Sequence, residues 1–250
     1  MTTRFKLIIE YDGTHYHGWQ AQREGLKTVQ GEIERAIFKV TGEERRITAA
    51  GRTDTGVHGL GQVAHVDLDY DIGEEKLPLA LNAHLRGEAI SIISANIVDD
   101  EFSARFDAKL RHYVYKIKNR RSKLALDRNR TWLVVKPLDT DAMQNAASVL
   151  LGKHDFTTFR HIACQAKSPI RTLDRLDVER HGEDIYIYVS ALSFLHHQVR
   201  SMVGCLKMVG EGQWTKQDLK DALEAKDRNR LGLNAPAHGL YFSHVDYDDA

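Results

Sequence analysis

Residues 51–68 read Gly-Arg-Thr-Asp-Thr-Gly-Val-His-Gly-Leu-Gly-Gln-Val-Ala-His-Val-Asp-Leu. The first part is a loop carrying Gly51, Gly56, Gly59 and Gly61, and residues 62–68 read as a strand. Upstream, a short strand is expected near 46–50. Before it, Thr28 is a plausible N-cap for a helix over 29–41, with Val29, Ile33, Ala36, Ile37 and Val40 as its apolar stripe and Gly42 to end it. Phe5, Leu7, Ile9 and Tyr11 alternate with Lys6, Ile8 and Glu10 as a first strand. Downstream, 74–85 reads as a helix and 89–98 as a strand. The first half is therefore β-α-β-β-α-β.

The second half repeats that order. A strand over 111–118 places Tyr113, Tyr115 and Ile117 on one face, and a helix follows at 140–151. A hairpin of 172–179 and 185–191 comes next, then a long helix at 194–209, a second helix at 216–226 after Thr215, and a closing strand at 240–246. The expected class is α+β: two ferredoxin-like halves with antiparallel sheets, residues 1–104 and 105–250. No residue-level repeat links the halves.

Composition narrows the function classes. In 250 residues, 35 Lys and Arg balance 35 Asp and Glu, so any attraction for polyanions must come from local sorting of charge. Such sorting exists: Arg105, Lys109, Arg111, Lys116, Lys118, Arg120, Arg121 and Lys123 share their stretch with a single acid, Asp107. Phe106, Tyr113 and Tyr115 are interleaved with them, a mixture suited to phosphates and stacked bases. Two cysteines without CxxC spacing exclude a disulfide scaffold and a Cys-rich zinc site. No apolar run approaches the roughly 20 residues of a membrane span, and the first residues do not form a signal-peptide core. A soluble cytoplasmic protein is expected.

The loop is the densest chemical segment. Asp54 stands two residues from Arg52 and four from His58. The plain alternative is a tight loop in which Asp54 caps backbone N–H groups. A phosphate-binding loop fits poorly, because Gly-Lys-Ser/Thr is missing and a carboxylate repels phosphate. Asp67-x-Asp69-x-Asp71 lacks the glycine and the glutamate of a calcium loop, and neither His15-x-His17 nor His196-His197 has metal-ligand helical spacing. No metal and no cofactor are expected. Arg200 borders the apolar stripe of the long helix, either as a surface cation or as partner to a buried carboxylate.

Several stretches together resemble one family, the tRNA pseudouridine synthases of the A type. They are Tyr11-Asp12-Gly13-Thr14 with Gly18-Trp19-Gln20; Gly51-Arg52-Thr53-Asp54-x-Gly56-Val57-His58 with Gln62-Val63-x-His65; and Phe102-x-Ala104-Arg105-Phe106 with Arg111-x-Tyr113-x-Tyr115. Gly152-x-His154-Asp155-Phe156, Phe194-Leu195-x-x-x-Val199-Arg200 and Ala235-Pro236-Ala237-x-Gly239-Leu240-Tyr241 follow in order. Two departures stand out: Arg86 where the family often has Pro after Leu85, and Gln198 in place of a frequent Met.

The resemblance implies two α+β halves whose sheets meet around a central RNA-binding cleft. It also implies a homodimer that converts uridine to pseudouridine at positions 38, 39 and 40 of the tRNA anticodon arm without a cofactor. It makes Asp54 the nucleophile, Tyr113 the residue stacking on the target base, Arg200 the partner of the carboxylate, Arg52 an aid to base extrusion and phosphate contact, and Leu240 a wall of the uracil pocket. A tRNA-binding module without chemistry is the alternative, and a lone carboxylate among cations speaks against it.

Overall fold

The computed structural model describes residues 2–22 and 25–248. The chain falls into two compact units, 1–111 together with 241–250, and 112–240. The sequence suggested a division at 104/105 and kept 240–250 with the second half. The observed division falls seven residues later, and the closing strand returns to the first unit. The reason is a strand pairing between residues far apart in sequence, which local patterns do not encode.

In the first unit, β1 (Thr3–Tyr11) is flanked by β4 (Ile90–Val98) and β3 (His58–Leu68), both antiparallel to it. The two-residue β2 (Thr48–Ala49) pairs antiparallel with the far edge of β3, giving the order β4-β1-β3-β2 of a ferredoxin-like unit. Period-two alternation puts Phe5, Leu7 and Ile9 of β1 fully inside. Helix α1 (Val29–Thr41) starts where the Thr28 side chain accepts the Gly31 N–H, and ends at Gly42 with φ 77°. Its Ile33, Ala36 and Ile37 share one core with Leu77 and Leu81 of α2 (Lys76–His84).

Strand β11 (Leu240–Asp246) shares the far edge of β3 with β2, but runs parallel to it. Tyr241 stands opposite His58 and Phe242 opposite Gly59. The loop 51–57 thus leaves β2 and enters β3 beside a strand from far downstream.

The second unit holds most of β5 (Leu110–Asn119), which neighbours β10 (Asp184–Ala191) and then β9 (Arg175–His181); β6 (Trp132–Val134) pairs parallel with β5. β9 and β10 form an antiparallel hairpin turning at Gly182, as expected. The expected strand 172–179 is two strands, because Asp174 N–H donates to Ser190 O between them. The upstream piece, β8 (Ile170–Leu173), pairs instead with β7 (Gly152–Asp155).

Three helices pack on these strands: α3 (Thr140–Ala147), α4 (Gln198–Gly210) and α5 (Lys216–Ala225). Met143, Met202, Val203, Leu206 and Leu219 are fully buried with Ile185, Ile187 and Val189 of β10. Helix α4 starts four residues later than its apolar stripe suggests, since His197 adopts left-handed geometry with φ 66°. No helix among the described residues is long and apolar enough to cross a membrane.

Candidate active site

The loop between β2 and β3 is fixed from beneath. Thr53 and Val57 are buried, while Asp54 is half-exposed and Arg52 exposed. The Thr53 carbonyl accepts the Trp19 N–H at 3.1 Å, its hydroxyl lies 2.8 Å from the buried Tyr11 hydroxyl, and Val57 N–H donates to Asp54 O at 3.1 Å. Burial pushes the Tyr11 phenol well above its ordinary range, so it stays a neutral hydrogen-bonding group beside the loop.

Two glycines of the stretch after β1 allow this contact. A methyl group on Gly13 would stand 2.0 Å from Val57 O; one on Gly18, where φ is +83°, would stand 2.7 Å from Thr53 O and 3.2 Å from the Asp54 carbonyl carbon. Only residues without a Cβ let the two stretches approach so closely. His58 is buried, stacks on Tyr241 at 4.6 Å, and has Nδ1 3.1 Å from both Gly13 N and an Asp12 carboxylate oxygen. A ring nitrogen either accepts the Gly13 N–H or donates to Asp12, so the two contacts belong to different tautomers. Phe242 packs on Gly51, so β11 supports both ends of the loop.

In the second unit, one stretch, 234–240, brings together two of the three remaining sequence-derived candidates, Arg200 and Leu240. Arg200 lies in the first turn of α4. Its Nε donates to Ala235 O at 2.8 Å, and Ala235 N–H donates back to Arg200 O at 2.9 Å. The next carbonyl, Pro236 O, accepts the Tyr115 hydroxyl at 2.8 Å, and the Tyr115 ring packs on Gly239. Burial raises the Tyr115 phenol well above its usual range, while the Arg200 charge pulls the other way. Leu240 follows Gly239 and is buried. Tyr113 lies two residues before Tyr115 on the same face of β5, half-buried and edge-on to Phe194 at 5.1 Å.

Sequence reasoning does not single out the supporting residues Tyr11, Gly18, Trp19, Tyr115, Phe194 and Tyr241 for these roles, although they lie in the stretches that carry the resemblance.

The basic stretch is less available than its composition suggests. Arg111 is buried, and its guanidinium donates to Ala50 O at 3.0 Å, Ala108 O at 3.3 Å and Arg105 O. It holds the first unit together and cannot face a phosphate. Lys109 pairs with Asp248 at 2.7 Å, Arg120 with Glu183 at 3.1 Å, and Lys118 with Asp184.

A family profile described as "tRNA pseudouridine synthase" matches residues 7–107 and 146–248, segments that hold the loop with Arg52 and Asp54, and Arg200 and Leu240, while Tyr113 and Tyr115 fall between them. The chain belongs to the tRNA pseudouridine synthase family. Curated tRNA pseudouridine synthase relatives extend the match over nearly the whole chain. A protein of Bartonella bacilliformis named "tRNA pseudouridine synthase A" is 56% identical over 246 residues, covering 98% of this chain and 99% of the relative. One of the same name from Allorhizobium ampelinum is 58% identical over 246 residues, covering 98% and 95%. A solved structure titled "Crystal Structure of a Cbf5-Nop10-Gar1 Complex" aligns with 96% of this tRNA pseudouridine synthase family chain and 59% of its own at a TM-score of 0.37 and 11% identity, too distant to bear on the site.

Proposed function

We propose that this isomerase converts uridine to pseudouridine in the anticodon stem-loop of tRNA, with Asp54 as the nucleophile. The observation that carries the reading is the fixed loop: Trp19 N–H holds its backbone, Gly18 packs against it and the Tyr11 hydroxyl meets the Thr53 hydroxyl, yet its carboxylate is half-exposed on that support. Rigid presentation of a reacting group is what enzymatic chemistry demands of a scaffold.

The reaction breaks the C1′–N1 bond, turns the detached uracil and joins C5 to C1′. The C5 proton is lost and N1 gains one, so atoms and electrons are conserved without a redox partner. A carboxylate nucleophile divides the exchange into easier steps. In this reading Arg200 favours the ionised carboxylate and fixes its aim. Tyr113 stacks on the extruded base, offsetting a few kcal/mol of lost stacking, and Arg52 contacts phosphate. Leu240 forms part of the apolar wall that keeps water from the sugar. The same reading carries with it action in the cytoplasm as a homodimer, and light scattering of the purified chain tests the dimer.

The decisive experiment compares wild type with Asp54→Asn on unmodified tRNA transcript, mapping pseudouridine and measuring affinity. Asn keeps the size of the side chain but is a poor nucleophile. Turnover is expected to vanish while affinity falls by less than about tenfold. Turnover retained in the variant would remove Asp54 from its role, and a wild type that binds the transcript without forming pseudouridine would favour a purely RNA-binding module.

A further inference from the structure

We propose that His197 is a positioning residue that sets the direction of the Arg200 guanidinium. The proposal rests on the reading above, in which Arg200 serves the reacting carboxylate. Arg200 Nη1 lies 3.1 Å from His197 Nε2. A guanidinium is always protonated and only donates, so Nε2 is the acceptor in this contact. With Nε held by Ala235 O at 2.8 Å, the planar group is gripped at two of its edges. Two contacts on a rigid plane fix where its remaining N–H groups point.

The backbone at His197 supports a dedicated purpose. Among the described residues only His197 and Lys226 combine a side chain with positive φ. Lys226 follows a helix C-terminus, an ordinary place for that geometry. His197 instead precedes the first residue of α4, where a Ser, Thr, Asp or Asn in extended geometry ordinarily caps the helix. Its side chain caps nothing. The fold thus accepts an unfavourable backbone and gives up a cap, and the imidazole goes to Arg200. Unfavourable geometry of this kind persists where the surroundings over-determine it.

Those surroundings are present. Gln198 N–H donates to Leu195 O at 3.0 Å, and Leu195 N–H donates to the buried Gln198 Oε1 at 2.9 Å. Because Oε1 must face that N–H, Nε2 of Gln198 is left buried without a hydrogen-bond partner. The departure from Met at this position therefore closes the turn. His161 N–H donates to His196 O at 2.8 Å, and the His161 ring lies 4.4 Å from that of His197. The same short turn carries Phe194 against Tyr113.

The test uses the full chain and tRNA transcript, with kcat, KM and melting temperature measured for His197→Gly, His197→Asn and Arg200→Ala. Glycine keeps the left-handed backbone and removes the acceptor; asparagine tolerates that backbone and restores a side-chain oxygen. His197→Gly is expected to lower kcat about tenfold with KM within about twofold and melting nearly unchanged, and His197→Asn to recover to within about threefold of wild type. In an Arg200→Ala background the glycine substitution is expected to cost nothing further. If Arg200→Ala is impaired but His197→Gly turns over normally, or if asparagine fails to rescue a well-folded glycine variant, the positioning role is overturned. Should Arg200→Ala itself be fully active, the fault lies with the role given to Arg200, a distinguishable failure. Poor folding of the glycine variant leaves the asparagine variant, alone and with Arg200→Ala, to decide.

Discussion

Replacing Gly18 by alanine probes the support under Asp54 without touching the loop itself. The backbone there has φ +83°, a region that costs an L-residue with a side chain about 1–2 kcal/mol. The new methyl would also stand 2.7 Å from Thr53 O, well inside contact distance. That oxygen belongs to the backbone and already accepts the Trp19 N–H, so it can retreat only by stretching a hydrogen bond worth about 1 kcal/mol and by dragging Asp54 along. Gly18→Ala should therefore cost roughly 2–4 kcal/mol. Gly42→Ala isolates the backbone part. Its φ is +77°, but its methyl would meet nothing within 4 Å, so about 1 kcal/mol is expected. At roughly 4 °C per kcal/mol, Gly42→Ala should lower the melting temperature by about 4 °C and Gly18→Ala by roughly two to four times as much. Pseudouridine formation on tRNA transcript separates the two further. Gly42→Ala should keep kcat within about twofold, and Gly18→Ala should lose more than about tenfold as the carboxylate shifts. Equal melting and equal turnover in the two variants would refute the claim that Gly18 fixes the loop.

Arg111→Ala should destabilise the fold, since it strands three backbone carbonyls, yet leave the salt dependence of tRNA binding unchanged. Replacing exposed Arg121 and Lys123 together should instead reduce that slope by about 1–2; a slope that follows Arg111 would reverse the assignment. For pH, burial and then the nearby Arg4 charge lower the His65 pKa, and its Nδ1 accepts the Ala104 N–H at 3.0 Å. The folded state favours neutral imidazole. The resulting stability is complete above the unfolded value of about 6.5 and is lost as pH falls through the depressed folded value. His65→Gln should flatten the decline of melting temperature below about pH 6.5, and an unchanged decline would assign it to other groups.

The parts of the fold legible in sequence are those set by local rules. Helix α1 announces itself through Thr28, its apolar stripe and Gly42, and β1 through Phe5, Leu7, Ile9 and Tyr11 at every second position. What escaped was set by distant partners. The edge of β3 that β11 occupies is chosen by packing of Tyr241 and Phe242, not by any pattern within 240–246. The late start of α4 escaped because histidine gives no sign of left-handed geometry, while Leu195 continues the helical stripe into a turn. Arg111 looked like its basic neighbours because composition cannot tell a guanidinium that holds carbonyls from one facing solvent. The candidate residues themselves were readable, through the family resemblance, but the carbonyls and glycines that hold them were not.

The return of β11 to the first unit has a consequence in time. A ribosome makes Gly51 and His58 long before it makes Tyr241 and Phe242, which seat both ends of their loop. During synthesis the part of the far edge of β3 that β2 does not cover stays open until the 112–240 stretch has been translated. The support for the candidate loop then arrives together with the final strand. A chain cut short before residue 241 would carry every candidate residue, yet lack the seat beneath its loop.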